Sequence, residues 1–256
     1  MLKKLARFLK RMELASDALV LEKIPHSAHA SKLREKHFVN GTSQNAGNEL
    51  DSDFTMELAS TAAKAAHAIH ELAKRRDPEG MFHLGGMYET GFGVEKNLRE
   101  AVKLYEGAAL AGFVPAQRRL GDAYFEGEIV EQSDSKALQW YRLGASGGDH
   151  ACQKNLGIML LHGVGTAKDY NAALKWLLAS ADQGNFLAQR NLGEIYLRGN
   201  GVDSNKAEAL KWFIIAEKFG DPDAQSLWSN ILIDVTAAES RSAITAAEDY
   251  FSRANK

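Results

Sequence analysis

The sequence predicts an all-α solenoid of stacked helix–turn–helix units, and three observations predict it. The dipeptide Leu-Gly recurs at Leu84-Gly85, Leu120-Gly121, Leu156-Gly157 and Leu192-Gly193, each leucine 36 residues after the last. A turn-forming glycine follows each leucine at one spacing, at Gly91, Gly127, Gly163 and Gly199. A second apolar segment then carries Leu104, Trp140, Trp176 and Trp212 in the same register. A uniform period of this length means that one supersecondary unit is copied and stacked. Such arrays offer an extended binding surface more readily than a single catalytic pocket.

The first helix of each unit, helix A, is set by its spacing. Gly80, Ala116, Cys152 and Ala188 stand four residues before the leucines, and Tyr88, Tyr124, Leu160 and Tyr196 stand four after. Small, leucine and mostly aromatic residues four apart share one helical face. A glycine beside each leucine costs about 1 kcal/mol against alanine in a helix interior. Its return in every unit implies that another helix comes too close for a Cβ. Gly91, Gly127, Gly163 and Gly199 then end helix A as C-cap glycines. A second glycine follows at Gly93, Gly165 and Gly201, with Ile129 in its place in the second unit.

Helix B opens on Asn97, Ser133, Asp169 and Asn205, all residue types whose side chains cap helix N-termini. Glu100, three residues after Asn97, has the spacing of a capping box. The helix carries Ala101, Ala137, Ala173 and Ala209 and then Tyr105, Tyr141, Leu177 and Phe213, and Gly112, Gly148, Gly184 and Gly220 close it.

Together the columns read A-x3-L-G-x2-Y-x2-G-x-G-V, then A-x2-W-[YF]-x2-A-A-x2-G, and in this they resemble the Sel-one-like repeat of the tetratricopeptide superfamily over residues 80–223. Ile129, Leu160 and Glu217 depart from the pattern. The resemblance implies a right-handed α-solenoid whose A helices line a concave side that holds a peptide or protein partner. The uninterrupted repeat, with no complete catalytic constellation beside it, leads to the expectation of a non-enzymatic scaffold or adaptor.

Four segments are expected around that array. Residues 1–52 form a basic amphipathic N-terminal helix and a flexible linker, and residues 53–79 a degenerate repeat or N-capping helix. Residues 80–223 hold the four repeats, and residues 224–256 hold C-terminal capping helices. Ala65 lies 36 residues before Ala101, which places the 53–75 segment in helix-B register. Thr236 and Glu239 have capping-box spacing and should start a last helix running to about Phe251.

Composition excludes several classes. A chain of 256 residues with 45% hydrophobic content buries a core without staples. A formal charge of −2 gives no drive toward nucleic acid. The single cysteine, Cys152, excludes an intramolecular disulfide framework and favours a reducing, cytoplasmic setting, with a mitochondrial one the alternative in a eukaryote. No apolar run reaches the roughly 18 residues of a membrane span. No cofactor is expected, and the oligomeric state stays open.

The first twelve residues place Leu2, Leu5, Phe8, Leu9 and Met12 on one helical face and Lys3, Lys4, Arg7, Lys10 and Arg11 on the other. Such a helix suits packing back on the solenoid as a terminal cap, peripheral membrane contact, organelle targeting or docking on a protein, and amphipathicity alone does not choose. Recruitment of an assembly or quality-control factor through this helix is thus a second functional reading.

Catalytic leads are thin. Ser133-Asp-Ser-Lys136 has the S-x-x-K spacing of serine β-lactamases, but Ser133 already fills an N-cap slot and no partner motif occurs. Some cysteine-rich secreted members of the family carry a β-lactamase label, and this chain lacks their regular cysteines. His67 and His70 share one helical side, but a metal site needs three or four ligands. Cys152 fills a small-residue column, as a buried hydrophobe would.

If helix A lines the groove, its variable positions read by column. Two residues before the leucines are Phe82, Arg118, Lys154 and Arg190; two after are Gly86, Asp122, Ile158 and Glu194. Five after are Glu89, Phe125, Leu161 and Leu197, and six after are Thr90, Glu126, His162 and Arg198. A basic ladder beside an apolar row would take a peptide with carboxylates and bulky apolar anchors. The alternative is ordinary i,i+4 pairing of Arg118 with Asp122 and Arg190 with Glu194, and inter-repeat packing of the apolar row.

Overall fold

The computed structural model describes Lys64 and residues 66–254, and residues 66–254 belong to the compact unit Ala66–Lys256. The N-terminal helix with Lys3, Lys4, Arg7, Lys10 and Arg11, the linker and the start of the 53–75 segment lie outside the described residues.

A helical segment over residues 66–74 leads into α1 (Pro78–Thr90), α2 (Leu98–Leu110), α3 (Val114–Glu126), α4 (Asp134–Ser146), α5 (His150–His162), α6 (Tyr170–Asp182), α7 (Phe186–Arg198) and α8 (Lys206–Lys218). α9 (Ala224–Ile231), a 3-10 turn (Leu232–Asp234) and α10 (Ala237–Ala254) follow. Among the described residues there is no strand. Odd-numbered helices α1 to α7 are the A helices and even-numbered α2 to α8 the B helices. Each B helix packs on its own A helix, and α2, α4 and α6 each also pack on the A helix that follows; α5 also touches α3 and α7. The array is the all-α solenoid that the period predicts.

The Leu-Gly glycines do what their spacing implies. A Cβ at Gly121 would stand 2.6 Å from the Tyr141 ring, and one at Gly157 2.7 Å from Leu177. No real Cβ tolerates that distance, so the A and B helices of a unit meet because the glycine is there. The C-cap glycines adopt the left-handed conformation, with φ 71° at Gly91 and 75° at Gly163, and return their N–H groups to Met87 and Met159 carbonyls.

The helix-B caps behave as their chemistry dictates, with two exceptions. Asn97, Asp169 and Asn205 accept from the amides of Glu100, Ala172 and Glu208. Ser133 occupies the N-cap position without a side-chain cap bond; its hydroxyl faces that of Ser135 at 3.3 Å. The Asn97 box closes on one side only, because the Glu100 carboxylate turns to Lys103. The Thr236–Glu239 box closes on both sides, at 2.8 and 3.3 Å, and opens α10.

The first boundary between units shows how closely they approach. A Cβ at Gly80 would lie 2.5 Å from Leu72 Cβ, so the 66–74 segment leans directly on α1. At the other end α10 packs along α8. Tyr250 meets the Trp212 ring at 5.4 Å and donates to Asp182 across 2.9 Å. Two departures from the pattern meet here as well. Trp228 stands where a leucine would, Glu217 where an alanine would, and the Trp228 indole N–H donates to the Glu217 carboxylate at 2.8 Å.

Candidate partner-binding face

The variable positions of the A helices divide into two stripes. Residues two before and two after the leucine are one helical turn apart and share a side. Residues five after lie one turn beyond the Leu-Gly glycine, which faces helix B. That geometry corrects the expected apolar row. Leu161 is 6% exposed and belongs to the core. Leu197 is half-buried against the cluster of Leu210 and Phe213. Only Phe125 of the three is open, at 42% exposure.

Glu89 occupies the same column and turns toward helix B for the same reason. It accepts from the Tyr105 hydroxyl at 2.6 Å and from Arg119 Nη2 at 2.6 Å, joining α1, α2 and α3. Burial works against the Arg119 charge, but the Glu89 hydrogen bonds outweigh it and hold the guanidinium above its ordinary pKa. Phe82 is likewise engaged, its ring 5.5 Å from Tyr105 and 5.4 Å from Phe113.

The basic ladder is not paired as expected either. Arg118 Nη1 reaches Asp149 Oδ2 at 2.9 Å, and Arg190 reaches Asp221 and Asp223 at 3.3 and 2.7 Å. Neither arginine pairs with the acid one turn on. The reason is direction: Cα–Cβ bonds of a helix tilt toward its N-terminus, and each arginine thus points at the turn that opens the next unit. Glu194 pairs with Arg198 instead, at 3.4 Å. His162 is exposed in the last turn of α5.

Asp122 is half-buried and accepts from the Tyr141 hydroxyl at 2.8 Å. Burial pushes its carboxyl above the usual range, while that hydrogen bond and the cations Arg118, Arg119 and Lys154 pull the other way. In the next unit the acid and the hydroxyl disappear together, as Ile158 and Leu177. Lys154 is half-buried, and burial lowers its ammonium pKa against the opposing pull of Asp122. Ile158 lies one turn beyond it, packed at the edge of the core.

One polar column escaped sequence reasoning. Gln117, Gln153 and Gln189 are buried, and each donates its amide to a last-turn carbonyl of the preceding B helix: Ala109, Ala145 and Ala181. Carbonyls at a helix end lack intrahelical donors, so this ladder completes the joints between units. Its 36-residue spacing was the available signal.

The catalytic leads do not assemble. Lys136 Nζ sits over the Tyr124 ring, 4.9 Å from its centre, while the Ser133 hydroxyl faces Ser135. Burial, and then the Asp149 charge, push the Cys152 thiol well above its ordinary value, as expected of a core residue. Among the described residues no group of three His, Cys, Asp or Glu side chains is placed to hold a metal ion, and no helix is long and apolar enough to cross a membrane.

The Sel1 repeat family model matches residues 78–113, 114–149, 150–185 and 187–218. A stretch of 67 residues is 45% identical to the DAP3-binding cell death enhancer 1 of Rattus norvegicus and 42% identical to that of Mus musculus. It covers 26% of this chain and only 13% of either relative's length. Among solved structures, the chain is similar to c5321, a protective antigen of uropathogenic Escherichia coli with an SLR fold, at TM-score 0.66 and 32% identity, over 74% of this chain and 41% of that one. A Sel1 repeat protein from Oxalobacter formigenes gives TM-score 0.63 and 27% identity, over 78% and 85% of the two chains.

Proposed function

The chain belongs to the Sel1 repeat family, and from that premise we propose that it is an adaptor that holds a peptide or protein partner along the exposed side of its A helices. Sel1 repeat proteins mediate protein–protein interaction, and their fold is that of a non-catalytic scaffold. The observation that carries the reading is the contrast between joints and open positions. Glu89, Arg118 and Arg190 are spent on contacts between units, while Phe125, Lys154 and Ile158 keep apolar or charged groups at or near the surface on neighbouring helices α3 and α5. Exposed groups repeated on a rigid frame suit an extended polypeptide. The rat relative's name states that it binds a protein. With 13% of that relative matched, this supports protein binding and not that particular partner.

The test is affinity capture of partners with the full chain, followed by substitution on each face. Phe125→Asp should lose the partner, and Leu110→Asp, on helix B, should keep it. The reverse result would move the site to the B helices. Recruitment through Lys3, Lys4, Arg7, Lys10 and Arg11 is the second reading, supported by the segregation of charge in residues 1–12. Deleting residues 1–40 should then release the protein from the membrane fraction; unchanged fractionation would remove that reading.

A further inference from the structure

Three A helices carry a cation two residues before the leucine, and the middle one stands apart. Arg118 finds Asp149 and Arg190 finds Asp221, in each case a carboxylate 31 positions further along the chain. The residue 31 positions after Lys154 is Asn185, which carries no charge. Its carboxamide is already engaged: Oδ1 accepts from the Ala188 amide at 3.1 Å, and Nδ2 lies 3.0 Å from His150 Nδ1. Guanidinium becomes ammonium and carboxylate becomes carboxamide at the same rung. Among the described residues, no carboxylate lies within 4.0 Å of Lys154 Nζ.

Lys154 is nevertheless half-buried, and burial penalises its charge. Asp122, the acid that favours that charge, is a poor counterion, since burial disfavours its ionised form and its Oδ1 is taken by Tyr141. A cation held partly out of water without a hydrogen-bonded counterion costs free energy that an incoming carboxylate recovers. Apolar surface stands beside it, with Ile158 one turn along α5 and packed at the edge of the core.

We propose that Lys154 anchors an acidic polypeptide segment, receiving the carboxylate of an Asp or Glu while a neighbouring apolar residue of the partner covers Ile158. This rests on the reading of the A-helix side as the partner surface. The nearby Asp122 favours a single negative charge, because a dianionic phosphate would bring its second charge against that acid.

Random dodecapeptides displayed on phage and selected on the immobilised full chain supply the probe, and the selected peptides are then synthesised and titrated by calorimetry. Asp or Glu next to Leu, Ile or Phe should dominate them. Lys154→Gln should weaken binding about tenfold, as loss of one charge-assisted contact does. Asn185→Asp should weaken it similarly, by supplying the missing carboxylate while leaving Lys154 in place. Thermal unfolding of both variants near or above that of the parent separates lost recognition from lost folding. Peptides without acidic preference that still fail on Phe125→Asp, or full affinity in both Lys154→Gln and Asn185→Asp, would overturn the role of Lys154 and leave the face standing. No recovered peptide, or peptides indifferent to Phe125→Asp, would overturn both.

Discussion

Arg118 Nη1 lies 2.9 Å from Asp149 Oδ2 while the other oxygen of that carboxylate accepts from the Cys152 amide at 2.8 Å, so one side chain both caps α5 and ties it to α3. The two tasks differ in worth. Capping contributes about 1 kcal/mol, and a half-exposed ion pair less than about 1 kcal/mol. Asp149→Ala is therefore expected to cost about 1–2 kcal/mol, whereas Asp149→Asn and Arg118→Ala, which both spare the cap, should each cost less than about 1 kcal/mol. Urea unfolding of the three variants checks the order. Equal losses for Arg118→Ala and Asp149→Ala would show that the tie, not the cap, dominates.

Adjacent glycines in α1 should respond with opposite signs. A Cβ at Gly85 would stand 2.7 Å from the Tyr105 ring, whereas one at Gly86 would meet only the Tyr105 hydroxyl at 3.6 Å, an ordinary contact. Gly85→Ala forces the two helices apart and is expected to destabilise by about 1–3 kcal/mol. Gly86→Ala relieves a helix-interior glycine and should stabilise by about 0.5–1 kcal/mol. Thermal denaturation of the two variants measures the difference, and a shared sign would contradict the packing argument.

Why one glycine of the pair is indispensable was legible in the sequence, because Gly85 recurs with Gly121, Gly157 and Gly193 and Gly86 does not. The same holds for the C-cap glycines and for most helix-B caps, whose chemistry is local. The charge pairing was not legible. Arg118 and Asp149 are 31 residues apart, so columns compared at 36-residue spacing never place them side by side. Leu161 misled for a related reason: its column was read as surface, although the position lies one turn beyond a glycine that faces helix B. Gln117, Gln153 and Gln189 were in register throughout, and only the buried carbonyls they meet reveal their purpose.

Asp122 gives the face a pH dependence whose sign follows from burial. Its folded carboxyl is raised above the ordinary value, chiefly by burial, so the native state holds the proton more tightly than the unfolded chain. Its contribution is fully present below the unfolded pKa and is lost as pH rises through the folded one. Asp122→Asn keeps an acceptor for the Tyr141 hydroxyl without the buried charge. The variant should be at least as stable as the parent at neutral pH, and that advantage should shrink as pH falls toward 4. Chemical denaturation at the two pH values checks it; a variant that is weaker at neutral pH and not in acid would reverse the sign.

Cys152 and Gly144 exchange size across the joint between α4 and α5, since a Cβ at Gly144 would lie 2.5 Å from the Cys152 sulfur. At the preceding joint the same two positions hold Ala108 and Ala116, an even division of the space. Gly144→Ala alone should therefore destabilise by about 1–3 kcal/mol through overpacking, and Cys152→Ala alone by about 1 kcal/mol through the small void it leaves. The double variant recreates the Ala–Ala joint and should be better than the sum of the two by about 1 kcal/mol or more. A double-mutant cycle in urea measures that coupling, and strict additivity would mean that the helices part instead of repacking. The thiol itself reports the same burial. Raised in pKa and enclosed, Cys152 should ignore a disulfide reagent in the folded protein at neutral pH and react once urea opens the joint.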